Sequence, residues 1–181
     1  MRHWVPLAVA CAAAVAACGG SGESSSAGTV GGQPVPSATL GAQLNMDTRV
    51  GCTTVPYVTD LDIYFVSEGS ACLSSPMAIV ASPNATLMRI EVGIGSPSLP
   101  PGTYSFGPNA PPPQNGSWVL GGFGVPSSGG LIPATSGSVT ITSISTMQVS
   151  GSYDLTFSTR DHVTGTFSAP MCPTPADAGA G

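Results

Sequence analysis

The stretch GSVTITSISTMQVSGSYDLTFSTRDHVTGTFSAPMC, residues 137–172, decides the fold. Val139 and Ile141, then Met147, Val149, Tyr153, Leu155 and Phe157, then Val163, Phe167 and Ala169 all stand at odd positions. Ser, Thr, Gln and Asp154 fill the places between them. Successive side chains of a β-strand point to opposite faces. A period of two therefore sets the apolar residues against a core and turns the hydroxyl-bearing ones to water. The pattern predicts an antiparallel meander with strands near 137–144, 147–158 and 162–169, the last two joined by the turn Ser158-Thr159-Arg160-Asp161. Gly151 falls on the inner face, where a bulge or bend is expected.

The same alternation recurs upstream. Leu61, Ile63 and Phe65 alternate with Asp62 and Tyr64, and Met88, Ile90, Val92 and Ile94 with Arg89 and Glu91. Weaker strand patterns lie near 39–45, 49–55, 76–82, 102–106 and 117–123. The run Ala78 to Ala81 is bracketed too tightly by Pro76 and Pro83 to be a helix. Ser96 to Asn115 carries Pro97, Pro100, Pro101, Pro108 and the triplet Pro111-Pro112-Pro113, so it reads as loop around a short strand, with polyproline character at the triplet. Roughly nine strands with no helical pattern predict an all-β domain over 38–172, an antiparallel β-sandwich or open barrel ending in the meander.

Composition narrows the chemistry. Charged residues make up 7% of the 181, against a usual ~25%. Lysine is absent, which removes serine–lysine mechanisms, and the formal net charge is −5. Beyond Arg2, only Arg49, Arg89 and Arg160 are available to neutralise phosphates, which argues against nucleic acid as a partner. The 24 glycines and 18 prolines imply many turns, and the Val, Ile, Thr, Tyr and Phe between them imply strands rather than disorder.

The N-terminus has a different character. Arg2 precedes an apolar run from Trp4 to Ala17 that ends in Val15-Ala16-Ala17-Cys18. The run is roughly 14 residues, the length of a signal h-region and short of the ~20 that span a bilayer as a helix. Its end resembles the lipobox of bacterial lipoproteins. The resemblance implies a signal peptide over 1–17, cleavage before Cys18, a diacylglyceryl group on the Cys18 sulfur and acylation of the new amine. Its further implication is a membrane-anchored protein of the bacterial cell envelope. Gly19 stands where an aspartate often signals inner-membrane retention, so the outer membrane is expected, facing the periplasm or the cell surface. Residues 18–37 are rich in Gly and Ser and end in Pro34 and Pro36, which reads as a flexible tether with a coil dimension of about 25 Å. The tail, residues 173–181, is rich in Ala, Gly and Pro and reads as frayed.

Beyond Cys18 three cysteines remain, Cys52, Cys72 and Cys172, and an oxidising compartment favours one disulfide and one leftover thiol. Cys72–Cys172 would stop the chain fraying past the last strand; Cys52–Cys72 would close a loop of about 20 residues, worth ~3 kcal/mol by loop entropy. The last third of the chain, with Val149-Ser150-Gly151-Ser152-Tyr153 and Val163-Thr164-Gly165-Thr166-Phe167-Ser168-Ala169-Pro170-Met171-Cys172, is similar to the terminal hairpins of uncharacterised small lipoproteins of myxobacteria and their relatives. That resemblance implies a disulfide at Cys172 and supplies no activity.

Few residues carry chemistry. His162 is the sole histidine after the leader, and beside Asp161 it suggests an acid–base pair, but neighbours in a tight turn point apart and no Gly-x-Ser-x-Gly elbow accompanies them. Asp60 and Asp62, with Glu68 beyond, suit glycoside hydrolysis or calcium in principle, yet they fit the solvated face of an alternating strand. No CxxC spacing or histidine cluster supports a metal, and Gly121-Gly122-Phe123-Gly124 lacks the helix and lysine of a phosphate loop, so no cofactor is expected. Trp118, Tyr57, Tyr64 and Tyr104 are candidates for stacking on sugar rings; Tyr64 stands out because its parity opposes Leu61, Ile63 and Phe65. The expectation is a non-catalytic binding or structural domain whose partner is an envelope protein or polysaccharide. A carbohydrate-binding module using Trp118 and Tyr64 is the first alternative, and a hydrolase using Asp60, Asp62 or His162 the second.

Overall fold

The alternation of residues 137–172 becomes three long strands of one curled sheet. A computed structural model describes residues 22–37, 39–48, 57–68, 71–72, 85–113, 116–124 and 130–172. Among them the strands are β1 (Glu23–Ala27), β2 (Thr29–Val30), β3 (Gln33–Pro34), β4 (Thr39–Thr48), β5 (Tyr57–Val66), β6 (Leu87–Ile94), β7 (Gly102–Phe106), β8 (Trp118–Gly124), β9 (Ile132–Ile144), β10 (Gln148–Phe157) and β11 (His162–Pro170). The strand patterns at 49–55 and 76–82 lie outside the described residues.

The protein is all-β. Neighbouring strands run β1-β11-β10-β9-β8-β6-β5-β4, with β7 also paired to β9, every pairing antiparallel. At 13 residues β9 is long enough to pair with β10 along one edge and with two strands in turn along the other. Its start pairs with β8 (Pro133 with Gly122), and its later part with β7 (Val139 with Tyr104). Beyond β11 the chain turns to the far edge: Met171 bridges Ala42 in parallel, and the Cys172 N–H donates to the Ala42 carbonyl at 2.7 Å. The sheet thereby nearly closes into a barrel, the open-barrel form of the expected architecture, through one isolated bridge rather than a full ladder. The register shift between Ser150 and Gly151 is the bulge expected at Gly151.

The odd-numbered residues of the meander fill the barrel: Val139, Ile141, Val149, Tyr153, Leu155, Phe157, Val163, Phe167 and Ala169 are all buried, together with Leu61, Ile63, Phe65, Met88, Ile90 and Val92 from the opposite wall. Met147, assigned to the same set, sits in the β9–β10 turn and is 80% exposed. Phe65 meets Tyr153 edge-on, ring centroids 5.4 Å apart, and Phe167 at 6.2 Å, which locks the two walls together. The Tyr153 phenol lies over Gly165, where any side chain would collide with it.

The tether expected over residues 18–37 is corrected from Glu23 onward. Glu23–Ala27 pairs along β11, from Glu23 with Ser168 to Ala27 with Thr164, and Val30 and Val35 enter the core at 0% and 5% exposure. A Gly/Ser-rich run carries little hydrophobic pattern of its own. Here the free edge of β11 supplies backbone partners, and the two valines supply the apolar burial.

Candidate functional site

The barrel's outer surface has two distinct walls. Over the meander it is a grid of hydroxyls, many bonded to one another, as in Ser25 with Thr166 at 2.7 Å and Thr103 with Thr140 at 2.9 Å. Over β5, β6 and β8 it gathers charge. The antiparallel register sets Tyr64 beside Arg89 and Asp62 beside Glu91, and on the other side of β6 it sets Glu91 beside Leu120 and Gly93 beside Trp118. These residues share the outward parity of their strands.

Arg89 is the hub of this wall. Its Nε donates to Asp62 Oδ1 at 2.8 Å and its Nη2 to Glu91 Oε2 at 2.8 Å. Glu91 is shared: its Oε1 accepts from Trp118 Nε1 at 3.1 Å. Burial works against the guanidinium's charge, but the bond and charge of Asp62 outweigh it and raise the Arg89 pKa. The indole of Trp118 lies flat on Gly93, where a Cβ would fall inside the ring's van der Waals surface. Next to it, Arg89, Glu91, Leu120, Gly122, Leu131 and Pro133 line a shallow recess of about 170 Å³, with Leu120 57% and Leu131 41% exposed.

Several expected sites stand differently from their reading in sequence. Asp62 is not on a solvated face; it is 5% exposed, because Arg89 folds across it from the neighbouring strand. Tyr64 does point away from Leu61, Ile63 and Phe65, yet it is 4% exposed, packed in a second apolar cluster with Val66, Ala71 and Leu87. Burial first, and the Asp62 charge second, push its phenol up to about 12. It is therefore no platform for a ligand in this structure, and Trp118, half-buried, stands without it. Tyr104 is buried too, its hydroxyl donating to the Pro100 carbonyl on the floor of a groove of about 320 Å³ between Pro100–Ser105 and Pro111–Pro113. The Tyr57 side chain, Cys18 and Cys52 lie outside the described residues.

His162 and Asp161 point apart. His162 Nε2 sits 2.9 Å from Asp154 Oδ1, both side chains more than half exposed. Asp161 Oδ2 accepts from the Gly31 N–H and from the Thr159 hydroxyl, each at 2.7 Å, and these bonds hold its pKa below the usual carboxylate value. Cys72 and Cys172 are joined as a disulfide, Cα atoms 5.0 Å apart, beside Gly41 and Ala71. No group of three metal-ligating side chains exists among the described residues.

Sequence reading missed Arg89 and Glu91 as members of a site. Both alternate with buried residues and are among the chain's few charges, which was the available signal; the strand pairing that brings them to Asp62 and Trp118 was not readable. No family model, no curated protein and no solved structure matches this chain.

Proposed function

We propose that this chain is a lipid-anchored protein of the bacterial cell envelope whose β-barrel binds or structures a partner rather than catalysing a reaction. The observation that carries the binding half is the β5–β6–β8 wall. Its carboxylates Asp62 and Glu91 are committed to Arg89 and Trp118, while an apolar recess stands beside them. Such a surface offers shape, apolar area and fixed donors, not a poised nucleophile or base. The anchoring half rests on the lipobox-like Val15-Ala16-Ala17-Cys18. Two or three acyl chains, each methylene worth about 0.8 kcal/mol, hold a protein stably where one chain would not. Intact mass spectrometry of membrane-extracted chain should show cleavage before Cys18 plus acyl mass, and a Cys18→Ser chain made without residues 1–17 should be found in the soluble fraction. An unmodified, freely soluble wild type would overturn the anchor.

A second reading, carbohydrate binding, is favoured by one observation: Trp118 presents an indole braced from below by Gly93 and at its edge by Glu91. Aromatic rings held this way stack on the apolar faces of sugars. Once residues 1–17 are removed, Trp118 is the sole tryptophan, so its fluorescence reports the site alone. Titration with peptidoglycan fragments and envelope polysaccharides should shift and saturate that emission. A flat response across the panel removes this reading and leaves an envelope protein as the partner.

A further inference from the structure

We propose that the turn Ser145-Thr146-Met147 is a second membrane contact, with Met147 seated in the headgroup boundary of the bilayer that holds acylated Cys18. The inference rests on the lipid-anchor reading above and adds to it an orientation for the barrel.

Met147 is 80% exposed, more than Leu44, Leu120 or Leu131, the other exposed large apolar side chains among the described residues. Its position is specific. The Met147 carbonyl accepts from the Met171 N–H at 2.8 Å, so the turn stands at the rim where β11 ends. The N-terminal chain enters at that rim: Glu23 pairs with Ser168, and Gly22 packs beside Ser168 and Pro170. Gly22 and Met147 are thus two strand spacings apart, about 10 Å.

Chain length then limits how far the rim can stand from the bilayer. Cys18 precedes Gly22 by four residues, which span about 14 Å at full extension. The turn projects roughly two residues, about 7 Å, past Gly22 along the strands, and the methionine side chain reaches farther. With Cys18 acylated at the membrane surface, Met147 falls within the same reach as the anchor itself.

The chemistry of the turn agrees. No charged residue lies between Thr142 and Tyr153, so seating this turn against lipid strips no ion from water, and Glu23, paired with Ser168, stands about three residues, roughly 10 Å, behind it along the strands. Methionine, unbranched and polarizable, adapts to a disordered interface.

The test is oxidation of Met147 in the mature protein, residues 18–181. Acylated chain, checked by intact mass, is reconstituted in phosphatidylethanolamine/phosphatidylglycerol vesicles and exposed to dilute peroxide, with Cys18→Ser chain lacking residues 1–17 mixed with the same vesicles as control. Peptide mass spectrometry should show sulfoxide forming at Met147 about five-fold or more slowly in the acylated protein. Acylated protein whose Met147 oxidises at the control rate overturns the contact and leaves the anchor standing. A chain that carries no acyl mass overturns both.

Discussion

Arg89 shows how a chain with so few charges uses one of them. Two carboxylates converge on its guanidinium, one of them 5% exposed, so its removal strands negative charge against the sheet. Breaking a buried pair by deleting one partner costs about 3–5 kcal/mol, and partial exposure of Arg89 discounts that to roughly 2 kcal/mol. Arg89→Leu should lower the urea midpoint accordingly, and adding Asp62→Asn should recover part of the loss; equal stability of wild type and Arg89→Leu would show that solvent already screens the cluster. The buried phenols of Tyr64 and Tyr153 make a separate prediction in alkali. Burial pushes each up to about 12 in the folded protein against 10.0 unperturbed. The folded state therefore keeps protons that the unfolded chain loses, and their stabilising contribution, intact below pH 10, falls as pH rises toward 12. The loss is on the order of 2 kcal/mol per tyrosine. Tyr153→Phe, which also removes a buried hydroxyl without a partner among the described residues, should flatten the alkaline limb of the unfolding curve.

At the scale of elements, the β2–β3 hairpin is held to the barrel by the buried Val30 and Val35 and, at its tip, by a carboxylate. Asp161, in the turn between β10 and β11, bonds the Gly31 N–H, and Gly31 has φ 58 in the tip of that hairpin. Because Asp161 titrates below its unfolded value, the clamp is present above the ordinary carboxylate pKa and is lost as pH falls through the lower folded one. Amide exchange at Gly31 should be slow near neutrality, quicken on acidification beyond the intrinsic pH trend, and be fast at all pH in Asp161→Ala; an unchanged Gly31 rate in that variant would mean the hairpin is held by Val30 and Val35 alone. This pair of residues also marks the limit of sequence reading. The meander was legible because its core residues from Val139 to Ala169 keep to odd positions within each strand, and β5 and β6 because Leu61 to Phe65 and Met88 to Ile94 alternate in the same way. The segment Glu23–Ala27 was not, because three of its five residues are serines and its strand character comes from the edge of β11, more than a hundred residues away. The candidate site failed for the same reason: parity placed Asp62, Tyr64, Arg89 and Glu91 outward, but cross-strand register and the covering Ala71 decide which of them meet water.

For the whole molecule, closure of the barrel depends on a narrow seam. Antiparallel ladders join every neighbour except β4 and the end of β11, where the Ala42–Met171 bridge and the Cys172 N–H stand in for a full ladder. The Cys72–Cys172 disulfide sits at that seam and closes a separation of 100 residues. A loop of this length is worth about 4–5 kcal/mol in the chain-entropy account, a large share of the ~5–15 kcal/mol that stabilises a domain. A long-range cross-link of this kind suits an all-β barrel whose pairings are mostly distant in sequence and expensive in loop closure. Cys72→Ala/Cys172→Ala should therefore lower the unfolding free energy by several kcal/mol, and exchange should quicken first at the amides of Ala42 and Cys172 or its replacement, before those of β9, β10 and β11. The meander keeps its own ladders when the seam opens, so its amides should follow only at global unfolding. If reduction left the protection of the seam and the denaturant midpoint unchanged, the barrel would be held shut by its core alone, through Phe65 against Tyr153 and Phe167, and the disulfide would be reporting proximity rather than enforcing it.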